Sequence, residues 1–433
     1  MNNLYPDIEG KDVSQIKERQ FELLKDLLEY VNEHSVFYKD HFSANNISPD
    51  DIKSLSDLNM IPSIAKKDLQ NRNKDFWCVG SEDIIDYCNT SGTEGQPVTV
   101  PLTKGDLDRL AYNEAISLAC ANGTPDDIFQ LSTTIDRRFM AGLAYAQGVI
   151  SMGAGLVRVG PAPPELQWLN IKEIKPTTLI IVPSFLVKLI DYAEKNMIDY
   201  KSSSIKKAVC IGEPIRDDNL QLNSLGRRIK ESWDIELFST YASTEMGTAF
   251  TECEFGIGGH EHPELIISEI LDEEGQVVED GEFGELTITT LGVEGMPLIR
   301  FRTGDICRKY TDKCKCGRTT SRLGPLLGRK NQMIKYKGTT IYPPSIFDVM
   351  DKQKFVSLYC IEISEDDYGN DKIIVRYSAE KDYNIEDLKK QFRSRVRATP
   401  ELIEGSFEDL FRVIHPKNSR KPVKYFDFRS KKK

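Results

Sequence analysis

Two short runs, Thr178–Val182 (TLIIV) and Ala208–Ile211 (AVCI), are almost wholly apolar, and each stops at a polar turn before a helical pattern. Strands that leave one face in water alternate apolar and polar residues; these two do not, so they read as strands covered on both faces. The first passes through Pro183-Ser184 into the helix-like FLVKLIDYAEKN. The second passes through Gly212-Glu213-Pro214 towards a helix expected over roughly Asp217–Trp233, and a third strand, Ile235–Ser239, ends in YASTE. Repeated strand–loop–helix units imply a parallel, doubly wound sheet. Ligands of such sheets sit outside the carboxyl ends of the strands, where Ser184, Gly212–Pro214 and Tyr241–Glu245 all fall.

The flanking regions complete an α/β expectation. Helical spacing of Phe21, Leu24, Leu27, Leu28 and Val31 predicts a packing helix over Gln15–Phe42, and further helices are expected over Asp106–Asn122 and Phe139–Met152. After about residue 263 the period changes to two, in ELIISEILDEEG, GELTITTLG and LIRFRTGDICRKY. This predicts antiparallel strands forming a small barrel-like part. Beyond Gly328 a small α+β segment is expected, with Ile373–Tyr377 a strand, Ile385–Arg397 a helix and Phe411–His415 a strand. The predicted division is 1–330 and 331–433.

Charge and composition exclude several classes. The chain of 433 residues has a formal net charge of −10, the wrong sign for a nucleic-acid partner; the terminal RSKKK reads as a frayed end. No apolar run approaches the roughly 18 residues that cross a bilayer, so no membrane partner is expected. MNNLYPDIEGKD lacks the pattern of a signal peptide, and nine scattered cysteines do not suggest a disulfide framework. A reducing, cytoplasmic setting is the expectation.

The stretch YCNTSGTEGQP, Tyr87–Pro97, is either a solvated turn or a loop that holds phosphate oxygens. It lacks the lysine of the P-loop pattern, having Gln96 instead. Its donors would therefore be backbone amides and the hydroxyls of Thr90, Ser91 and Thr93, with Gly92 and Gly95 allowing close approach to an anion.

In company this loop is recognisable. TSGTEGQP resembles the phosphate loop of the acyl-adenylate-forming (AMP-binding) enzymes, and Phe301–Asp305 (FRTGD) resembles their ribose motif. Tyr241–Glu245 (YASTE) resembles their adenine and magnesium motif, and Gly328–Pro343 (GRKNQMIKYKGTTIYP) their domain hinge, all in the family's order. HSVFYKDHF, IPSIAKKDL, TEC–GGH and CKCGR resemble landmarks of the phenylacetate–CoA ligase branch.

The resemblance implies ATP-dependent activation of a carboxylic acid and transfer of the acyl group from the adenylate to CoA. It implies ribose contacts from Asp305, Mg2+ binding by Glu245 and an α-phosphate contact from Thr244. Tyr241, followed by Ala242 and Ser243, would stack on adenine, with Gly212, Glu213 and Pro214 as another wall. The activating lysine would be Lys421 in NSRKPVKYFDFR, although the family's glycine is Arg420 here and Lys424 lies close by. The hinge position, commonly aspartate, is Asn331, and Arg329 beside it would contact nucleotide or orient the hinge. Acyl transfer to a carrier protein, or a non-catalytic nucleotide-binding role, are the alternatives. A homodimer is an option the resemblance leaves open.

Two clusters stand apart from these motifs. Cys253, His260, Cys314 and Cys316 form a donor set for a closed structural Zn2+ site, with His262 and Cys307 as competing ligands and ordinary reduced cysteines as the alternative. Asp136, Arg137 and Arg138 are unusually charged for an aryl pocket. Either arginine could meet a second anionic group on the substrate, or the cluster could cap a helix.

Overall fold

The strands Thr178–Ile181 and Lys207–Cys210 are buried along their whole lengths. Leu179, Ile181, Ala208 and Cys210 enter a core with Trp168, Leu186, Ile190 and Trp233. The intervening Ile180 and Val209 enter a second core with Phe129, Tyr145, Val149 and Phe238. Alternate side chains thus leave opposite faces of the pleat into separate cores, which is why the runs carry no polar period.

The structure, a computed structural model, describes residues 4–90, 96–336, 339–365, 371–380, 383–416 and 423–429. The chain divides into two compact units, Met1–Pro325 and Leu326–Lys433. In the first, Gly155–Arg158, Ile128–Leu131, Thr178–Ile181, Lys207–Cys210 and Glu236–Ser243 lie side by side in that order, all parallel. Pairing then turns antiparallel through Thr248–Glu252, Gly259–His260, Arg322–Leu323, Phe301–Tyr310, Phe283–Thr290 and Ile266–Leu271. The expected antiparallel part therefore continues the parallel sheet in one hydrogen-bonded order. Helices Lys104–Cys120 and Met140–Met152 bury residues in the second core.

Two helix expectations change. The N-terminal pattern is two helices, Val13–His34 and Val36–Ala44, parted at Ser35, whose hydroxyl accepts from Tyr38 N (3.3 Å) and donates to Asp75 O (2.9 Å). The helix expected from Asp217 starts only at Ser224. Arg216 and Leu222 form a bridge around a tight turn, and Asn223 then caps the helix by accepting from Gly226 N at 2.9 Å.

The second unit has a sheet ordered Glu401–Glu404, Asp371–Ala379, Val356–Glu365, Tyr425–Asp427. Its central pair is antiparallel and both outer pairs are parallel. Helices Pro343–Asp351 and Ile385–Arg395 cover one face through Ile346, Leu388 and Phe392. The segment expected as a strand at Phe411–His415 is instead the end of helix Phe407–Ile414. Ser406 caps that helix by accepting from Asp409 N (3.2 Å), and Leu410 and Ile414 pack on Cys360. Their spacing of four is helical, and it overrides the short β-like run of aromatic and branched residues. No helix among the described residues is long and apolar enough to cross a membrane.

Candidate active site

The FRTGD segment is shaped by an irregular pairing. Glu285 faces Ile306 and Thr287 faces Arg302, so a single residue, Leu286, opposes Thr303, Gly304 and Asp305. Those three bulge from the strand, and Gly304 takes φ +79°, a conformation that disfavours a side chain. Thr303 Oγ1 donates to Leu286 O (2.8 Å) and accepts from Asp305 N (3.1 Å). Glu285 accepts from Gly304 N (3.2 Å) and pairs with Arg302 at 2.6 Å. The bulge re-aims Asp305, whose Oδ2 accepts from Tyr241 Oη at 2.7 Å. Burial, and then the Asp305 charge, push the Tyr241 hydroxyl far above its ordinary range, so it stays protonated and donates. The ribose-like and adenine-like motifs, remote in sequence, meet at this bond.

The neighbouring strand ends supply the rest. Cys210 is in register with Ile181 and with Ser239, so the loops that follow these strands are neighbours. Gly212 has φ +72°. Glu213 accepts from Ser184 N and Oγ, both at 2.9 Å, tying the Gly-Glu-Pro turn to the preceding one. Pro214 O accepts from Asn223 Nδ2 at 2.8 Å. Tyr241, Ala242 and Ser243 pair with Phe250, Ala249 and Thr248 across the hairpin whose tip holds Thr244 and Glu245. Glu245 lies 3.4 Å from Lys66 Nζ.

A residue passed over in the sequence holds that tip. Arg109 donates to the carbonyls of Gly247 (2.6 Å), Leu265 (2.6 Å) and Leu291 (2.7 Å) and to Thr248 Oγ1 (2.9 Å). Burial pulls its guanidinium down to about 10, which still leaves it charged at neutral pH. In the sequence it is one more charge on an amphipathic helix, and nothing marks it as buried.

The glycine-rich stretch connects the antiparallel strands Asp86–Asn89 and Thr99–Leu102. Thr90 closes the neck of this hairpin: its N–H donates to Val98 O and its hydroxyl accepts from Val98 N, both at 3.0 Å. Ser91, Gly92, Thr93 and Gly95 lie outside the described residues, as does Lys421. Arg138 is built into the same hairpin, with its carbonyl accepting from Asn89 N (3.0 Å) and its guanidinium donating to Tyr87 O (3.1 Å) and Thr99 Oγ1 (3.3 Å). Arg137 is 60% exposed and 3.7 Å from Asp136. In the second unit, Arg329 ends a short strand and Asn331 lies in the 3-10 turn Lys330–Gln332. Arg429 holds this turn by donating to Met333 O (2.7 Å) and Asn331 O (3.4 Å).

The four expected metal ligands converge, with all ligand atoms within 4.8 Å of one another. The strand Thr248–Glu252 delivers Cys253, the paired strand Gly259–His260 delivers His260, and a turn with Gly317 at φ +99° delivers Cys314 and Cys316. Cys253 Sγ is 3.6 Å from Cys314 Sγ, and Cys316 Sγ is 3.5 Å from His260 Nε2. His260 Nδ1 meets Thr320 Oγ1 at 3.0 Å, which leaves Nε2 for a metal. Burial pulls His260 down to about 3, so the ring is neutral, as a ligand must be. Burial alone would raise the Cys316 thiol, but N–H groups of Arg318 outweigh it and bring it down. The competing ligands are accounted for elsewhere. His262 is held by Glu9 Oε1 (2.6 Å) and Ser117 Oγ (2.8 Å), and Cys307 is buried in the strand Phe301–Tyr310 outside the cluster.

The family model for AMP-binding enzymes matches residues 21–295, well over half of the chain. The chain belongs to the AMP-binding enzyme family. It is 29% identical over 350 residues to the phenylacetate-coenzyme A ligase of Thermus thermophilus, covering 80% of this chain and 77% of that one. It is 28% identical over 367 residues to the ligase of the same name from Escherichia coli, covering 82% and 80%. Among solved structures, 2-hydroxyisobutyryl-CoA ligase in its postadenylation state shares the fold, with a TM-score of 0.84 at 20% identity over 98% of this chain and 93% of that one.

Proposed function

We propose that this AMP-binding enzyme is an AMP-forming acid–thiol ligase that activates an aryl or related carboxylic acid and transfers it to CoA. The observation that carries the reading is the Tyr241–Asp305 bond, which joins the adenine-like and ribose-like motifs in one place. The curated relatives at 28–29% identity are CoA ligases and support the same chemistry. In the first half-reaction a carboxylate oxygen attacks the α-phosphorus of ATP, and pyrophosphate departs with the broken P–O bond. In the second, the CoA sulfur attacks the acyl carbon, the thiol proton passes to solvent, and AMP leaves.

Each residue has a physical task. Asp305 accepts from the ribose hydroxyls, and Tyr241 presents its ring to the base while its hydroxyl fixes Asp305. Gly212, Glu213 and Pro214 form a second wall, stiffened through Ser184. Thr244 donates to the α-phosphate, and Thr90 frames the loop whose Ser91, Gly92, Thr93 and Gly95 wrap the phosphates. Glu245 would hold Mg2+, which neutralises phosphate charge when bound. Lys421 would steady the attacking carboxylate against the α-phosphate, where negative charge accumulates. On this reading residues 1–330 serve adenylation and 331–433 act as a lid hinged near Asn331 and Arg329.

The Cys253, His260, Cys314 and Cys316 set would hold a structural Zn2+, because four protein ligands leave no open coordination position. The test of the ligase reading is ATP–pyrophosphate exchange over a panel of aryl, fatty, amino and dicarboxylic acids, followed by addition of CoA. Exchange with one acid and CoA-dependent AMP release are expected. Exchange without CoA turnover would transfer the second step to a carrier protein, and no exchange from well-folded, ATP-binding protein would remove the catalytic reading.

A further inference from the structure

The segment around Ile64 belongs to none of the motifs assigned a role above, yet it touches three of them. The two-residue strand Ile64–Ala65 pairs in parallel with Phe301 and Arg302, so Lys66 comes level with the start of the Thr303–Asp305 bulge. Arg300 anchors the approach. It donates to Asn59 O (3.0 Å) and Ile61 O (2.8 Å), accepts from Ile64 N (3.1 Å) and pairs with Glu269 at 3.1 Å. Lys66 Nζ then lies 3.4 Å from Glu245 Oε1, with side chains only 20% and 10% exposed. A few residues on, Gln70 Nε2 donates to Gln96 O at 3.0 Å, at the closing end of the glycine-rich loop.

A phosphate-binding loop with Gln96 where P-loop proteins carry lysine needs its positive charge from elsewhere. An ammonium carries three donors, more than one carboxylate oxygen at 3.4 Å engages. We propose that Lys66 binds the polyphosphate of ATP and serves as counter-ion to Glu245 while nucleotide is absent. This rests on reading Glu245 and the loop as the phosphate side of the site. Holding Glu245 in place at 3.4 Å, Lys66 keeps the carboxylate ready for a cation. Facing the β- and γ-phosphates, it recognises the part of ATP that AMP lacks.

The experiment is calorimetric titration of α,β-methylene-ATP and of AMP into the full chain, as wild type, Lys66→Gln and Lys66→Arg. Lys66→Gln is expected to weaken the ATP analogue tenfold or more, roughly the worth of one charge-assisted contact, and to leave AMP within about twofold. Lys66→Arg is expected to keep most of the ATP affinity. Equal weakening of both nucleotides would reduce Lys66 to a structural counter-ion, and no weakening would remove the proposal. If the wild type binds neither nucleotide, the phosphate-site reading falls first and takes the proposal with it. A second readout needs no variant: pyrophosphate should shield Lys66 from amine-reactive labelling while AMP does not, and equal labelling under both conditions overturns the assignment.

Discussion

The strand Thr248–Glu252 begins beyond the turn that carries Glu245 and ends beside Cys253, so a five-residue strand runs between two polar centres of opposite character. At the cysteine end each group is held by others of the same unit. Glu9 meets His262 and Arg318, Arg318 meets Cys316, and His260 meets Thr320. At the Glu245 end the carboxylate faces, among the described residues, one ammonium at 3.4 Å, and the Tyr241–Asp305 pair closes a bulge that opens on the strand ends. The first centre is completed from within the fold. On the proposed reading, the second is left for a ligand to complete.

Variants should therefore separate stability from activity. The largest effect on folding is expected for Cys253→Ser, which removes a thiolate from the closed set. Bound zinc should be lost and Tm should fall on the order of 10 °C, readable by metal analysis and calorimetry. A Tm unchanged after metal removal would show that the cluster does not brace the fold. Asp305→Ala should do the reverse, cutting ATP–pyrophosphate exchange about 100-fold or more, the scale of two lost hydrogen bonds to a charged group. Its Tm should move by only a few degrees. Comparable losses of stability in both variants would erase the contrast.

Glu114 sharpens the comparison from the protein interior. It lies in the helix Lys104–Cys120 with one oxygen accepting from Asn113 at 3.1 Å and the other without a partner among the described residues. Burial pushes its carboxyl up to about 8 from an ordinary 4.5. The folded form thus holds a proton that the unfolded chain releases above 4.5. Its contribution is complete below that pH, erodes as pH rises, and is lost through about 8. Glu114→Gln, neutral at every pH, should flatten the fall in Tm between pH 6 and 9. An identical pH profile in the variant would mean that Glu114 is ionised in the fold. The smallest effect is expected for Arg137→Ala: with Arg138 committed to the hairpin and Arg137 largely exposed, turnover of an aryl acid should stay within about twofold. A selective loss with a dicarboxylic acid would place a second anion beside Arg137.

The sequence announced what local chemistry controls. TLIIV, lacking any polar alternation, read as a doubly covered strand, and three cysteines and a histidine flanked by turns were enough to nominate the metal cluster. Phe411–His415 misled because its β-like residues belong to a helix whose face is set by Leu410 and Ile414 packing on Cys360. Arg109 and Lys66 were not legible as site residues. Their roles come from pairings with Leu291 and Glu245, and no local pattern encodes contacts over such separations. The bulge at Thr303–Asp305 was visible only as a glycine, since register is a property of two strands.

The most direct test of the adenylation account follows the carboxylate oxygens. Using the acid found by exchange, labelled with 18O at both carboxylate positions, the AMP released on CoA addition should carry one 18O atom and the pyrophosphate none. That outcome requires a carboxylate oxygen to have bonded to the α-phosphorus. Unlabelled AMP with acyl-CoA still forming would contradict it, and label in phosphate or pyrophosphate would place the attack at another phosphorus.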